Sequence, residues 1–273
     1  MQPLETVYYW RDPEMTGIET CRVVKSRHVF PRHTHEGFYA FGLMEQGFSY
    51  CLGPERSDSH MAPGQVALIN PGQIHSGVPA RNLPMTYRML YIDKTFMQKA
   101  AQDVVQRHDT LPEFHPLVVG DQRVAQGIRR VSDLLVGVED GLAKESAIIE
   151  ALADMLSRFG GMRVPARPIG PERRAVHLAK AFLSARLDRR VTLEEVAHAV
   201  GLSRYHFLRV FKRATGLSPH LFRTQRRIDL ARRLLRQGQT LVDVALDTGF
   251  ADQSHFTHKF KQFTGATPKQ YLA

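Results

Sequence analysis

The last third of the chain is written twice. Phe207-Leu-Arg-Val-Phe-Lys-Arg-Ala-Thr-Gly-Leu-Ser-Pro219 lies over Phe256-Thr-His-Lys-Phe-Lys-Gln-Phe-Thr-Gly-Ala-Thr-Pro268 at a constant offset of 49 residues. Phe, Phe, Lys, Thr, Gly and Pro coincide. Upstream, Val196-Ala197 and Gly201-Leu202 match Val244-Ala245 and Gly249-Phe250 at an offset of 48, so one residue has been added in the second copy's turn. Matched types in this order do not arise by chance, and each copy must be the same supersecondary unit.

Each copy reads as helix, glycine turn, helix. In the first, Thr192 with Glu195 three residues on has the form of a capping box. Val196, Ala197 and Val200 supply an apolar face, and Gly201 suits the left-handed conformation at a helix end. Ser203 offers a second cap, Phe207, Val210, Phe211 and Ala214 form the next buried stripe, and Gly216 closes the helix. This is a helix-turn-helix layout, whose second helix enters a major groove. Away from the Phe207/Phe211 stripe lie Arg204, Tyr205, Leu208, Arg209 and Lys212. The Arg209 fork matches guanine O6 and N7, and Leu208 or Tyr205 can meet a thymine methyl. Lys212 and Arg213 sit where phosphate contact is expected.

In the second copy the expected stripe is Phe256, Phe260 and Phe263, and the opposite face offers Gln253, Ser254, Thr257, His258 and Lys261. Gln253 near the helix start can pair with adenine N6 and N7. Taken singly, each of these residues also reads as an ordinary solvated side chain. Between the copies, 219–237 reads as a long helix with Leu221, Phe222, Ile228, Ala231, Leu234 and Leu235 on one side. Arg223, Arg226, Arg227, Arg232, Arg233 and Arg236 surround it. A rigid connector of this kind makes one chain a reader of two major-groove segments about 34 Å apart.

Charge follows the repeat. The 273 residues carry a net +10, yet 171–273 hold 19 Lys/Arg against 8 Asp/Glu, so the first 170 residues are near neutral. Solvated helix faces, an anionic membrane surface and nucleic acid each account for such an excess; the duplicated motif favours nucleic acid.

The last hundred residues resemble the DNA-binding domain of AraC/XylS-family transcription regulators. The likeness rests on Val191-Thr-Leu-Glu-Glu-Val-Ala, on Gly201-Leu-Ser-Arg-Tyr-His-Phe-Leu-Arg-Val-Phe-Lys, and on Ala245 through Pro268, the family's most specific signature. The resemblance implies two helix-turn-helix units, binding to double-stranded promoter DNA, and base contacts from Tyr205, Leu208, Arg209, Gln253, Ser254, Thr257 and His258. RNA polymerase is a further candidate partner.

Residues 20–95 read as β. Phe38–Leu43, Phe48–Cys51, Gln65–Ile69 and Met85–Ile92 are apolar or aromatic runs punctuated by Gly37, Gly47, Pro63-Gly64 and Pro71-Gly72, which suggests a small sandwich or barrel. His33-Thr-His35, then Gly47, then Pro71-Gly72-Gln-Ile-His75 is similar to the two cupin motifs. Histidines two apart on a strand share a face, so His33, His35 and His75 can line one barrel mouth. The metal-cupin pattern also has a glutamate where this chain has Tyr39 and Ala40, and Glu36 and Glu45 do not fit the spacing. The expectation is therefore a small-effector site, with no metal and no cofactor; the histidines serving only as hydrogen-bonders is the plainer alternative.

Val124, Ile128, Val131, Leu134 and Leu135, then Ile148, Leu152, Met155, Leu156 and Phe159, recur at helical spacing. They serve either packing on the β unit or a homodimer seam. Gly160 to Pro171, rich in glycine and proline, reads as a linker. The expected architecture is thus α+β and multidomain. A cupin-like β-barrel with following helices, for sensing and dimerisation, spans 1–160; a linker covers 161–171; an all-α tandem helix-turn-helix domain spans 172–273.

The composition is that of a globular chain, with no apolar run long enough to span a membrane and no secretory signal at Met1. Two cysteines, Cys21 and Cys51, read as buried fillers and fit a reducing cytoplasm. The reading is a cytoplasmic, effector-controlled transcription regulator rather than an enzyme. The rival is a metal-dependent cupin enzyme with a DNA-binding appendage.

Overall fold

Short apolar runs between glycine and proline turns build a β unit followed by helices, and a basic helical unit follows. The structure, a computed structural model, describes residues 6–52, 58–105, 111–161, 172–264 and 266–272. They fall in two units, Met1–Gly137 with Ala147–Ala166, and Val138–Ser146 with Arg167–Ala273. Most of the expected linker, 162–171, lies outside the described residues. No helix among the described residues is long and apolar enough to cross a membrane.

The first unit contains β1 (Thr6–Arg11), β2 (Ile18–Ser26), β3 (Phe30–His33), β4 (Phe38–Gln46), β5 (Ser49–Leu52), β6 (Asp58–Met61), β7 (Val66–Ile69), β8 (His75–Pro79), β9 (Met85–Asp93) and β10 (Val118–Val119). They form a six-stranded sheet, β1-β2-β9-β4-β7-β10, and a four-stranded sheet, β3-β8-β5-β6. The pairings are antiparallel. Strand β4 is buried from Tyr39 to Met44 without alternation. A strand covered on both faces loses the half-polar pattern.

The helices of this unit are α1 (Lys94–Val105), α2 (Gln122–Val136) and, from Ala147 on, α3 (Gly141–Phe159), whose first residues count with the second unit. Asp121 caps α2 by accepting from the backbone N–H of Arg123 and Val124. Val124, Ile128, Val131 and Leu135 are buried, and α2 packs on β1, β2, β4 and β9. Gly127 brings α3 close, since a Cβ there would lie 3.1 Å from the Ala151 Cβ. Ile148, Leu152, Met155 and Leu156 of the second stripe are buried as well. Packing within the chain thus occupies the α2 stripe. Cys21 is a free, buried thiol, pushed up to about 11 chiefly by burial; the Cys51 side chain lies outside the described residues.

The second unit contains α4 (Arg173–Ser184), α5 (Leu193–Ala199), α6 (Arg204–Thr215), α7 (Pro219–Arg236), α8 (Leu241–Asp247), α9 (Gln253–Thr264) and α10 (Pro268–Leu272). The repeat is visible bond by bond. Thr192 and Glu195 form the expected capping box of α5, and Thr240 caps α8 by accepting from Asp243 N–H. Leu202 N–H reaches Ala197 O at 3.0 Å, and Phe250 N–H reaches Ala245 O at 2.9 Å, each across a left-handed glycine. At the far end, Thr215 Oγ1 bridges Phe211 O and Leu217, and Thr264 Oγ1 bridges Phe260 O and Ala266 in the same way. Pro219 then opens α7 as Pro268 opens α10, where the missing N–H costs nothing.

Candidate functional site

In the β unit, His33 on β3 pairs across the strands with His75 on β8, which places the two rings on one face with centroids 4.2 Å apart. His35, just after β3, lies 5.0 Å from each of them. One ligand-competent nitrogen from each of the three lies within 4.8 Å of the others. His33 Nδ1 is 2.8 Å from Pro31 O and His75 Nδ1 is 3.0 Å from Gln73 O. A carbonyl has no proton to give, so both Nδ1 atoms donate and each neutral ring keeps its Nε2 lone pair free. Burial pushes His75 down to about 4, with smaller contributions in the same direction from His33 and His35. His35 is lowered too, by burial and then by His33.

The rings border a cavity of about 100 Å³ between the two sheets. Met44, Met61, Met85 and Met89 supply much of its wall, and Tyr87, Tyr91, Ser49 and Ser76 its polar points. Methionine walls adapt to the shape of what they hold. Ser76 Oγ is buried and has no hydrogen-bond partner. Gly42 keeps the cavity's floor low: a Cβ there would come within 2.9 Å of Met89 Sδ. A 150 Å³ cavity accepts benzene, so the occupant here is a molecule of few heavy atoms. Met85, Tyr87, Met89 and Tyr91 alternate along β9, a period-two signal that was readable in the sequence; Ser76 and Met61 carried none.

In the second unit, α6 and α9 carry the two expected reading faces. Ser203 caps α6 through His206 N–H, and Gly216 ends it at φ +74°. Arg204, Tyr205 and Arg209 are half-buried and Lys212 is exposed. The Arg209 guanidinium sits over the Tyr205 ring, 5.6 Å from its centroid. On α9, Gln253, Ser254, His258 and Lys261 are exposed and Thr257 is half-buried. Asp252 accepts from His255 N–H at 2.7 Å and starts that helix.

Five expectations need correction, the first being Leu221, expected on the buried side of α7 but 41% exposed. Leu208 is 2% exposed and belongs to the buried side of α6 with Phe207 and Phe211, because 208 and 211 are one turn apart. It cannot meet a thymine methyl from there. Ala214, expected inside, is exposed. Phe263 is 36% exposed while Phe256 and Phe260 are fully buried, so the α9 stripe is shorter than its pattern. The α7 arginines divide into two sets. Arg226, Arg232, Arg233 and Arg236 border a surface recess, but Arg223 and Arg227 are buried.

Both buried arginines meet Asp140, at 3.1 and 3.3 Å, and His220 Nδ1 reaches its other oxygen at 3.1 Å. Arg223 also donates to the carbonyls of Arg186 and Arg189, and Arg227 to Leu187 O. These carbonyls follow α4, so the two guanidiniums fasten its end to α7. Burial alone would raise Asp140, but the His220 bond and the charges of His220, Arg227 and Arg223 hold it well below the usual carboxylate range. Arg227 is lowered to about 10, mainly by burial and then by Arg223.

A model of the AraC-like ligand binding domain matches residues 16–152, half of the chain, and one of a helix-turn-helix domain matches 196–273. The chain belongs to the AraC family. It is a DNA-binding transcription regulator with an N-terminal ligand-binding domain. Among its relatives, an uncharacterized HTH-type transcriptional regulator of Bacillus subtilis, YbfI, is 30% identical over 89% of this chain and 87% of its own length. The HTH-type transcriptional regulator ArgR of Pseudomonas aeruginosa is 26% identical over 60% of this chain and 54% of its own. Of solved structures, ToxT from Vibrio cholerae matches 98% of this chain and 96% of its own at 12% identity, with a TM-score of 0.36. In this AraC-family chain the cavity falls within the ligand-binding match, and α6 and α9 fall within the helix-turn-helix match. The comparisons give the cupin-enzyme reading no support.

Proposed function

We propose that this regulator holds a small effector in the cavity bordered by His33, His35 and His75, and reads its promoter with α6 and α9. The observation that carries the effector reading is the cavity itself: an adaptable apolar wall with three imidazoles converging on one end. Sites of this build, mostly apolar with a few convergent polar groups, bind small molecules. The protein acts in the cytoplasm and performs no catalysis of its own.

Base contacts fall to Tyr205 and Arg209 on α6 and to Gln253, Ser254, Thr257 and His258 on α9. Arg204, Lys212 and Lys261 serve phosphates. Leu208 is left out because it is buried. Effector and DNA prefer the same arrangement of the chain, which makes the control allosteric. The regulator works as a homodimer on paired half-sites and contacts RNA polymerase. Because α2's apolar stripe is buried, exposed Val7, Tyr8 and Tyr9 on β1 are the better candidates for the dimer contact.

A fluorescence-anisotropy titration with the chain's own upstream DNA tests the reading, run with and without compounds selected by thermal shift. Sequence-selective binding that a stabilising compound alters by fivefold or more supports it. A compound that binds in the cavity and leaves DNA affinity unchanged overturns the effector role.

A further inference from the structure

The three imidazoles do more than converge. Cross-strand pairing sets His33 against His75, and in both rings the i−2 carbonyl takes the Nδ1 proton, from Pro31 at 2.8 Å and Gln73 at 3.0 Å. A hydrogen bond from one ring nitrogen to a backbone carbonyl orients the ring and raises the basicity of the other nitrogen, as it does for histidines that ligate metals. An ion held at about 2.0–2.1 Å from each nitrogen needs the three nitrogens to come together from their present span of 4.8 Å. Ring rotations on the order of an ångström suffice, and His33 and His35 are only half-buried.

The donor set also says what would complete the site. Three neutral imidazoles suit zinc, copper, iron, cobalt or nickel rather than magnesium or calcium. They leave the ion's double charge uncompensated. No carboxylate lines the cavity among the described residues; its walls are methionine, tyrosine, serine and small residues. A charge buried against such walls is costly unless an opposite charge comes with it. The absent glutamate of the metal-cupin pattern therefore opens a coordination position.

We propose that His33, His35 and His75 bind one divalent transition-metal ion, and that the ion's open position takes the donor atom of a small anionic effector such as a short-chain carboxylate. This deepens the effector reading of the same cavity and rests on it.

The test uses full-length protein freed of metal by chelator dialysis, with Co²⁺ as the probe and then acetate, with acetamide as the neutral control. One equivalent of Co²⁺ should bind with visible d–d absorption, and acetate but not acetamide should shift those bands. His33→Ala, His35→Asn and His75→Gln should each weaken Co²⁺ binding about tenfold or more, whereas His198→Ala in the second unit should leave it unchanged. Should a variant not fold, the unaltered protein still reports: its Co²⁺ form should show paramagnetically shifted exchangeable imidazole resonances, among them those of the carbonyl-held His33 and His75 Nδ1 protons. Absence of stoichiometric Co²⁺ binding, or binding that survives all three histidine substitutions, overturns the metal site. In that case metal-free protein that is stabilised by a small molecule, and changes its DNA affinity with it, leaves the effector reading standing.

Discussion

Gly201 and Gly249 occupy the same turn of the two repeats at φ +69° and +71°, yet they are not equivalent. A Cβ at 201 would meet nothing, while one at 249 would lie 2.4 Å from Leu187 O and 2.7 Å from an Arg227 guanidinium nitrogen. Gly201→Ala should cost only the left-handed penalty of about 1–2 kcal/mol. Gly249→Ala must also push back backbone, so its melting temperature should fall at least twice as far. Equal losses in thermal unfolding would show that the α4–α7 junction gives way freely. Asp140 acts on the same junction. Replacing it with Asn leaves two buried arginines without their counter-charge, which should cost about 3 kcal/mol. Because the folded carboxyl lies below its ordinary value of about 3.9, its contribution is complete above that pH and is lost as the pH falls through the depressed folded value. Wild-type stability should therefore decline below about pH 4 more steeply than that of Asp140→Asn. Parallel acid titrations of the two would remove Asp140 as the cause. The sequence showed the glycines plainly, since both sit at repeat positions. It gave no sign of Asp140, which stands some 80 residues from its arginines and in no motif.

The recognition helices differ in what they can offer. Arg209, braced by Tyr205 at 5.6 Å, is placed for a bidentate guanine contact. Arg209→Ala should lose about 1–3 kcal/mol of specific binding and relax discrimination at one base position. Equal affinity of wild type and variant across all half-site variants would remove Arg209 from the reading set. Lys212→Ala should instead weaken binding to every sequence and reduce the salt slope by about one ion. Helix boundaries and caps here were legible, because caps, glycine ends and proline starts are local chemistry. Which residues of a helix face inward was less so. Leu208 and Ala214 exchanged expected sides, since a one-residue rotation of the stripe depends on what packs against it. In the β unit, the period-two pattern of Met85, Tyr87, Met89 and Tyr91 announced a shared face, but not that the face encloses a cavity.

For the whole molecule, coupling must be reciprocal. If an effector raises DNA affinity by some factor, DNA must raise effector affinity by the same factor. Isothermal titration of the effector with and without operator DNA should return that factor, and a one-sided effect would mean the two ligands do not share an equilibrium. The +10 net charge also changes meaning at this scale. Arg223 and Arg227 are spent on Asp140 within the second unit, so the field presented to phosphate is weaker than the count of arginines suggests. The sequence by itself determined the family, the tandem readers and the β character of the first unit, because repeats, caps and strand periodicity are encoded in near neighbours. Only the tertiary structure decided that three histidines from two strands and a following turn share one cavity end, and that two arginines face inward. Those relations are set by strand register and long-range packing, which bring together residues that no sequence spacing connects.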